Sequence, residues 1–359
     1  ENDGRIRLSR KQALGENIEN FTNNAILNCL GTGGPNGSPV LRSIPRRKTV
    51  KENKPRLLVI LGPTASGKSR LAMEIAGALD GEIVSSDSLQ VYKHLDIGTA
   101  KPSLEDRARA AHHLIDIIEP DREFNAGTFR REASSVIESL AAAGKNIIVA
   151  GGTYLYVKAL LSGLIEGLPA DKGLRAALRK ERAEHGAEYL YQRLASIDPE
   201  AASKIHPNDY IRTERALEVY ELTGQKMSLL QSLHEFGVRD YDYVKIGINV
   251  PREELRRRID ERVDGMVSAG LVDEVRRLRA TGYGPGLKPM QSIGYKEINA
   301  CIDGEIGLER AVELIKRDTK RFAKRQMTWL RADKEIHWLD VPGDMEKVLE
   351  IAEILFRGE

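Results

Sequence analysis

The chain has 359 residues, of which 41% are hydrophobic and 30% are charged, so it is long enough for two domains and shows no compositional disorder. No apolar stretch approaches the length of a membrane span and the N-terminus has no signal-peptide core, so a cytoplasmic protein is expected. Two cysteines, Cys29 and Cys301, suit a reducing cytosol and exclude a disulfide framework or a cysteine zinc site. The net charge is +2, but the basic residues are unevenly placed.

Residues 1–54 are predicted to be an N-terminal tail with little order of its own. They contain the turn-rich stretch at 31–39 and the basic run Arg46-Arg47-Lys48. This run could contact nucleic acid, but a solvated charged linker is the favoured interpretation. No function is predicted for the tail.

From residue 55 the chain alternates apolar runs with helical patterns, which predicts an α/β fold with a parallel sheet flanked by helices. The candidate strands are Leu57–Leu61, Glu82–Ser86, His113–Ile117, Asn146–Ala150 and Val244–Val250. Between about 170 and 240 only amphipathic helical patterns occur, among them Leu174–Glu184, Glu188–Ala195 and Tyr210–Leu222. The predicted domains are a core in two parts at 55–168 and 243–340, a helical insertion at 169–242, and a C-terminal helix at 341–359.

A phosphate-binding loop follows the first strand directly. Its eight residues are Gly62, Pro63, Thr64, Ala65, Ser66, Gly67, Lys68 and Ser69. The glycines let backbone N–H groups turn towards phosphate oxygens, Lys68 adds a cation, and Ser69 offers a hydroxyl to Mg²⁺. The strand before it and the helical pattern after it favour this function over a glycine-rich turn that binds nothing.

Two further strands place polar residues at their carboxyl ends. Asp87 follows the second strand, and parallel strands bring their carboxyl ends to one edge, so Asp87 is expected near Lys68. The other interpretation of Asp87 is a turn residue or helix cap. The fourth strand ends in Gly-Gly-Thr153 instead of the magnesium-binding aspartate of nucleotide hydrolases, which weakens the case for an ATP-driven machine. Thr153 could orient a substrate or cap the next helix.

Two basic clusters suggest a polyanionic partner. Arg258 and Arg262 lie four residues apart and share a helix face. Near the C-terminus Arg317, Arg321 and Lys324 are predicted to form one helical stripe, flanked by Lys320 and Arg325. From the pattern alone, nucleic-acid binding and an ordinary salt-bridged surface remain equally open. His112 and His113 are adjacent, point to opposite faces of a strand, and are interpreted as structural.

Eight motifs in order resemble the bacterial tRNA dimethylallyltransferase (tRNA isopentenyltransferase) family over about residues 55–340. They are GPTASGKS at 62–69, SDSLQVY at 86–92, DIGTAKP at 96–102, GGTYLY at 151–156, HPND at 206–209, RALEV at 215–219, IGYKE at 293–297 and KRQMTWLR at 324–331. The sequence shows no zinc-finger pattern like that of many eukaryotic relatives, which favours the bacterial type.

The resemblance implies transfer of a dimethylallyl group from dimethylallyl diphosphate to N6 of adenosine 37, beside the tRNA anticodon. It makes the loop at 62–69 the diphosphate site, with Arg258 or Arg262 assisting and Mg²⁺ at Ser69. Asp87 would take the N6 proton, and Thr153 and Lys68 complete the catalytic set. The chain has no Asp-Asp-x-x-Asp cluster, the metal clamp of other prenyl-transfer enzymes.

The tRNA anticodon stem-loop is the implied partner, and a monomer is expected. The implied tRNA contacts are Asp87, Ser88, Leu89, Gln90, Thr153, Arg175, Ile211, Arg212, Thr213, Glu214, Arg215, Gln291, Ser292, Ile293, Gly294, Tyr295, Lys296, Lys324, Arg325, Gln326, Met327, Thr328, Trp329, Leu330 and Arg331. Two alternatives remain: an adenylate isopentenyltransferase that uses a free nucleotide, and a non-enzymatic RNA-binding protein with a relic phosphate loop.

Overall fold

The structure, a computed structural model, describes residues 54–165, 167–186, 188–234 and 240–358. These residues form two compact units. The smaller contains residues 165–234, and the larger contains residues 54–164 together with 240–358. Except for Lys54, the predicted tail, with Cys29 and its basic run, lies outside the described residues. No helix in the described ranges is both long and apolar enough to cross a membrane.

The larger unit contains a six-stranded parallel sheet. Its strands, in chain order, are β1 (Arg56–Leu61), β2 (Gly81–Ser85), β3 (His112–His113), β4 (Asn146–Gly151), β5 (Asp242–Ile248) and β6 (Ile336–Leu339). They lie side by side in the order β3-β2-β4-β1-β5-β6, and every neighbouring pair is parallel. The predicted parallel α/β sheet is therefore confirmed.

Two strands differ from the prediction. β3 stops at His113, well before the predicted end at Ile117, because Leu114 and Asp116 have φ angles of 61° and 57°. Residues in that left-handed region cannot continue an extended strand. β6 is not among the predicted strands. It has four residues at the sheet edge, which form no apolar run long enough to be recognised.

Fourteen α-helices occur within the described ranges. They are α1 (Lys68–Ala78), α2 (Leu104–Arg109), α3 (Ala126–Ala142), α4 (Tyr154–Ser162), α5 (Lys172–His185), α6 (Tyr189–Ile197), α7 (Pro199–Lys204), α8 (Tyr210–Thr223), α9 (Met227–Leu233), α10 (Arg252–Ser268), α11 (Leu271–Ala280), α12 (Tyr295–Ile302), α13 (Leu308–Ala332) and α14 (Met345–Arg357). Helices α5–α9 make up the smaller unit, whose core contains Leu178, Leu194 and Leu217.

Helices cover both faces of the sheet, and because side chains alternate along each strand, β1 contributes to two separate cores. Leu57, Val59 and Leu61 of β1 face one core, which includes Phe129 of α3. Leu58 and Ile60 face the other, which includes residues of α1 and α14. β1 therefore has an almost continuous aliphatic sequence. The carboxyl ends of β1, β2 and β4 lie along one edge, which positions the loops that follow them.

A buried glutamate fixes the loop that lies between β2 and α2. Glu274 of α11 accepts hydrogen bonds from the backbone N–H groups of Asp96, Ile97 and Gly98 at 3.0, 2.7 and 3.1 Å. It also accepts one from the Tyr295 hydroxyl at 2.6 Å. Gly98 packs against the Tyr295 ring so closely that an added Cβ would lie 2.5 Å from it. One carboxylate therefore holds three successive amides and a tyrosine.

Glu274→Gln should lower the free energy of unfolding by about 2–3 kcal/mol. A glutamine amide offers one oxygen acceptor and turns N–H groups towards donors that then lack a partner, which is costly in a buried site. Urea denaturation measures the change. The control is Glu74→Gln on α1, an exposed residue whose contact to Arg70 is 3.6 Å, which should change stability by less than about 0.5 kcal/mol. Equal effects of the two variants would contradict this role for Glu274.

Candidate active site

The predicted phosphate loop connects β1 to α1 in a tight turn. Ala65 and Gly67 both have positive φ, 64° and 95°, and Ser66 N–H donates to the Pro63 carbonyl at 3.2 Å. A Cβ on Gly62 would lie 2.5 Å from the Ser66 hydroxyl oxygen, so only glycine fits there without rearrangement. The buried Ser66 hydroxyl finds no hydrogen-bond partner within the described structure. The loop thus provides backbone N–H groups and a buried hydroxyl that a bound oxyanion could engage.

Lys68 lies at the end of this loop. Burial lowers the pKa of Lys68 to about 8; Arg262 acts in the same direction, while the Asp87 carboxylate opposes both. Its Nζ lies 3.4 Å from the Pro63 carbonyl oxygen. Lys68 is partly buried, and an ammonium that is largely desolvated and has one distant backbone acceptor is poorly compensated, so a phosphate would stabilise it.

The two candidate arginines of α10 differ in their surroundings. Burial lowers the pKa of Arg262, and the charge of Asp87 opposes that effect, so the guanidinium is desolvated within electrostatic reach of Asp87 and Lys68. Its Nη2 lies 3.5 Å from the Thr99 carbonyl. Arg258 instead donates to Glu254 at 2.7 Å on the same helix and is partly exposed. Of the two, Arg262 is therefore the one that faces the loop.

Asp87 immediately follows Ser86 at the end of β2. Its Oδ1 accepts the Leu89 N–H at 2.9 Å and the Gln90 N–H at 3.4 Å, so it does form the turn that was the alternative interpretation. Its Oδ2 makes no hydrogen bond to the described residues and lies in the field of Lys68 and Arg262. The turn role and a chemical role are compatible, because they use different oxygens.

Thr153 connects two loops at the sheet edge. Its hydroxyl oxygen accepts the Ser88 N–H at 3.0 Å, and its hydroxyl lies 3.2 Å from the Ser88 hydroxyl. Thr153 is the N-cap residue of α4, and its carbonyl accepts the Tyr156 N–H at 2.9 Å, but its side chain makes no capping hydrogen bond to that helix. Instead it attaches the turn after β4 to the turn that carries Asp87.

Several of the predicted tRNA contacts have buried side chains or backbones, which does not fit direct binding to RNA. They are Gln90, Thr213, Glu214, Gly294, Tyr295, Gln326 and Leu330. Gln90 accepts from the Ser85 hydroxyl at 3.1 Å and donates to the carbonyls of Thr99 and Ala100, so it supports loops from within. Tyr295, interpreted from sequence as a stackable ring, is fully buried.

In the smaller unit, two predicted RNA-binding arginines are engaged by a buried acid. Arg175 forms a bidentate ion pair with Glu218 at 2.8 and 2.9 Å, and Arg215 binds the same carboxylate and the Pro169 carbonyl. Both therefore help to neutralise Glu218. Ile211 and Arg212 are the exposed members of the predicted stretch at 211–215, and Arg212 pairs with Asp209 at 2.6 Å.

The basic residues on α13 fall into two groups: among the residues that the structure describes, the earlier ones form ion pairs with carboxylates, and the later ones do not. Lys320 pairs with Asp260 of α10 at 2.6 Å, and Arg317 and Arg321 both contact Asp318. Exposed residues further along the helix have no carboxylate partner within the described structure. They are Lys324, Arg325 and Arg331, with Thr328 and the half-exposed Trp329 between them. This later part of α13 is the surface with uncompensated positive charge.

The residues of the phosphate loop suit a magnesium ion that arrives with its ligand. Ser69, the predicted protein ligand, is exposed in the first turn of α1. Within the described ranges no group of three or more His, Cys, Asp or Glu could hold a metal. Mg²⁺ commonly keeps several waters and binds through substrate phosphates and one or two protein groups. A single hydroxyl fits that mode and does not fit a permanent protein-held metal.

Comparison with known proteins gives one consistent family. The family model described as IPP transferase matches residues 90–333. A tRNA dimethylallyltransferase 2 of Geotalea uraniireducens is 51% identical over 291 residues, covering 81% of this chain and 94% of the relative. The tRNA dimethylallyltransferase of Geobacter metallireducens is 49% identical over 299 residues, covering 83% and 97%.

Solved structures show the same relationship. The tRNA isopentenylpyrophosphate transferase of Bacillus halodurans matches with a TM-score of 0.63 and 36% identity, covering 85% of this chain and 98% of that one. A eukaryotic dimethylallyltransferase acting on tRNA matches with a TM-score of 0.73 and 28% identity, covering 85% and 80%.

The lowered pKa of Lys68 predicts how the affinity for inorganic pyrophosphate depends on pH. A bound anion favours the ammonium form, so above pH 8 binding requires proton uptake and the affinity should fall by up to about tenfold per pH unit. Calorimetry at pH 7, 8 and 9 measures this. Lys68→Met, which cannot titrate, controls for the ionisation of pyrophosphate itself. Parallel pH profiles for both proteins would contradict the role of Lys68.

Proposed function

Because the chain belongs to the IPP transferase family, we propose that it transfers a dimethylallyl group from dimethylallyl diphosphate to N6 of adenosine 37 in tRNA, releasing diphosphate. The observation that carries the chemistry is the arrangement of two desolvated cations, Lys68 and Arg262, beside the phosphate loop and the carboxylate of Asp87. In this site the loop and the two cations would hold the leaving diphosphate, and the Asp87 carboxylate would accept the proton.

On the donor side, the allylic C–O bond breaks and negative charge accumulates on the diphosphate. The loop N–H groups, the Lys68 ammonium and the Arg262 guanidinium stabilise that charge in a desolvated site, where fixed charges and dipoles are most effective. The Ser69 hydroxyl would hold Mg²⁺ together with the diphosphate, and the ion supplies further charge neutralisation when bound. Arg258, paired with Glu254, is assigned no contact.

On the acceptor side, the N6 nitrogen forms a bond to the allylic carbon as that carbon loses diphosphate. The N6 proton then passes to Oδ2 of Asp87, while Oδ1 keeps the carboxylate fixed in its turn. Thr153 holds Ser88 and thereby the turn that carries this carboxylate. The adenine must leave the anticodon stack to reach this edge of the sheet, so base flipping is part of the proposal.

The exposed end of α13 is the proposed tRNA surface in the larger unit. Lys324, Arg325 and Arg331 supply phosphate contacts, and Trp329 offers an exposed ring for a base. The tRNA substrate also supports a cytoplasmic location.

The activity is tested with labelled dimethylallyl diphosphate and two acceptors, unmodified tRNA and free AMP, each with and without ATP. Label should appear in tRNA at one adenosine, identified by nucleoside mass spectrometry, with no consumption of ATP. Transfer to AMP but not to tRNA would favour the adenylate isopentenyltransferase, and binding of tRNA without any transfer would favour the non-enzymatic protein. Either result would refute the proposal.

Asp87→Asn should slow the chemical step by roughly 10²- to 10⁴-fold, the usual contribution of a positioned general base. The amide keeps the turn hydrogen bond, so tRNA affinity should change little. Single-turnover kinetics at saturating tRNA and donor isolate this step. Asp80→Asn, an exposed residue paired with Lys145, should react at the wild-type rate. If Asp87→Asn binds tRNA poorly but reacts normally once saturated, Asp87 positions the substrate and is not the base.

Neutralising Lys324 and Arg325 together as glutamines should weaken tRNA binding and lower the slope of log Kd against log salt by about two, one for each lost phosphate contact. Titrations at several salt concentrations measure this slope. The control replaces the ion pair of Lys320 and Asp260 by Gln and Asn, which leaves the net charge unchanged, and its slope should match the wild type. A reduced slope in the control and not in the double variant would refute this surface.

A further inference from the structure

Gln326 is a buried polar residue on the apolar face of α13. It is 7% exposed and lies between Ala323, three residues before it, and Leu330, four residues after it, both of which are buried. This spacing places the three side chains on one stripe of the helix. The neighbouring Lys324 and Arg325 are exposed, so the same segment has an outward basic face and an inward amide.

The Gln326 amide joins two loops of the active site. Its Oε1 accepts the backbone N–H of Thr64, inside the phosphate loop, at 2.9 Å. Its Nε2 donates to the carbonyl of Gly152, in the turn after β4, at 2.8 Å. An apolar residue of the same size would leave both backbone groups without these partners.

The fit around this amide is close. A Cβ on Gly152 would lie 2.6 Å from Gln326 Nε2 and 3.6 Å from Lys68 Nζ. The first distance is too short for a real contact and the second is an ordinary one, so only glycine lets the turn approach the Gln326 amide without rearrangement. The amide consequently fixes the distance between the turn and the phosphate loop.

These contacts have consequences on both sides of the reaction. The Thr64 N–H already donates to Gln326, so in this arrangement a diphosphate would be bound by N–H groups further along the loop. On the acceptor side, Gly152 is followed in sequence by Thr153. The Thr153 hydroxyl accepts the N–H of Ser88, which is adjacent to Asp87. Gln326 therefore lies where the donor loop meets the turn that leads to the acceptor carboxylate.

We propose that Gln326 is a positioning residue that sets the spacing between the diphosphate loop and the acceptor-side turn, and does not itself contact RNA. The inference rests on the proposed transfer reaction for its kinetic consequence. Its structural part, control of the diphosphate loop, is independent of the acceptor and can be measured with inorganic pyrophosphate alone.

The test is Gln326→Met, which keeps the approximate volume and helix propensity and removes both hydrogen bonds. Pyrophosphate affinity and the single-turnover rate should each fall by about tenfold, the combined effect of two ordinary hydrogen bonds at a buried site. The Kd for tRNA should stay within about twofold of the wild type. Hydrogen exchange at the Thr64 amide should accelerate, because its acceptor is lost.

The matched control is Leu330→Ala, one turn further along the same buried stripe. It should lower the melting temperature through a core cavity while pyrophosphate affinity and Thr64 exchange stay at wild-type values. Unchanged pyrophosphate affinity in Gln326→Met, equal losses in both variants, or a loss of tRNA affinity as large as the loss of pyrophosphate affinity would overturn the proposal. If the wild type binds pyrophosphate but transfers nothing to tRNA, the proposed function fails while these binding measurements still test Gln326.

Discussion

Two largely desolvated cations, Lys68 and Arg262, lie in the electrostatic field of one carboxylate, that of Asp87, and the rest of the site depends on this unequal charge. Burial lowers the pKa of both Lys68 and Arg262, and Asp87 is the charge that opposes this shift in each. A folded chain gains nothing from keeping such a surplus away from water unless a ligand compensates it. In the proposed function, a multiply charged anion in the loop at 62–69 would provide that compensation.

The parallel sheet makes this arrangement possible. β1, β2 and β4 end along one edge, so the phosphate loop, the Asp87 turn and the Gly152 turn come together although they are far apart in sequence. Helix α13 then contributes from the C-terminal part of the chain. Its inward face reaches the phosphate loop through Gln326, and its outward face presents Lys324 and Arg325. One helix thus contacts the loop at 62–69 and carries the proposed RNA surface.

The sequence was sufficient to predict the sheet, the tight turn at 62–69 and the position of Asp87, because each depends on a local pattern: a buried strand followed by a characteristic turn. It was less informative about which side of a motif faces a ligand. Tyr295 and Gln326 lie in motif stretches matched to tRNA binding, yet both are buried. For Gln326 a signal was available, since Ala323 and Leu330 at helical spacing place it on the apolar stripe.

Ion pairs could be predicted from the sequence only where both partners lie close together in the chain. Glu254 lies four residues before Arg258 and predicts its pairing, so Arg262 could have been preferred from sequence. The partners of Lys320 and Arg175, by contrast, are Asp260 on another helix and the buried Glu218, and no local pattern reveals them. The end of β3 was also unpredictable, because it depends on left-handed backbone at Leu114 and Asp116.

The claim that a bound anion stabilises the desolvated Lys68 ammonium is tested most directly by titrating the Lys68 side chain. The titration is followed by NMR of protein labelled at lysine Cε, with and without saturating inorganic pyrophosphate. Comparison with Lys68→Met assigns the resonance. We expect a pKa of about 8 for Lys68 in the free protein and a clear upward shift when pyrophosphate binds. A free-protein pKa near 10.5, or a value that pyrophosphate leaves unchanged, would contradict it.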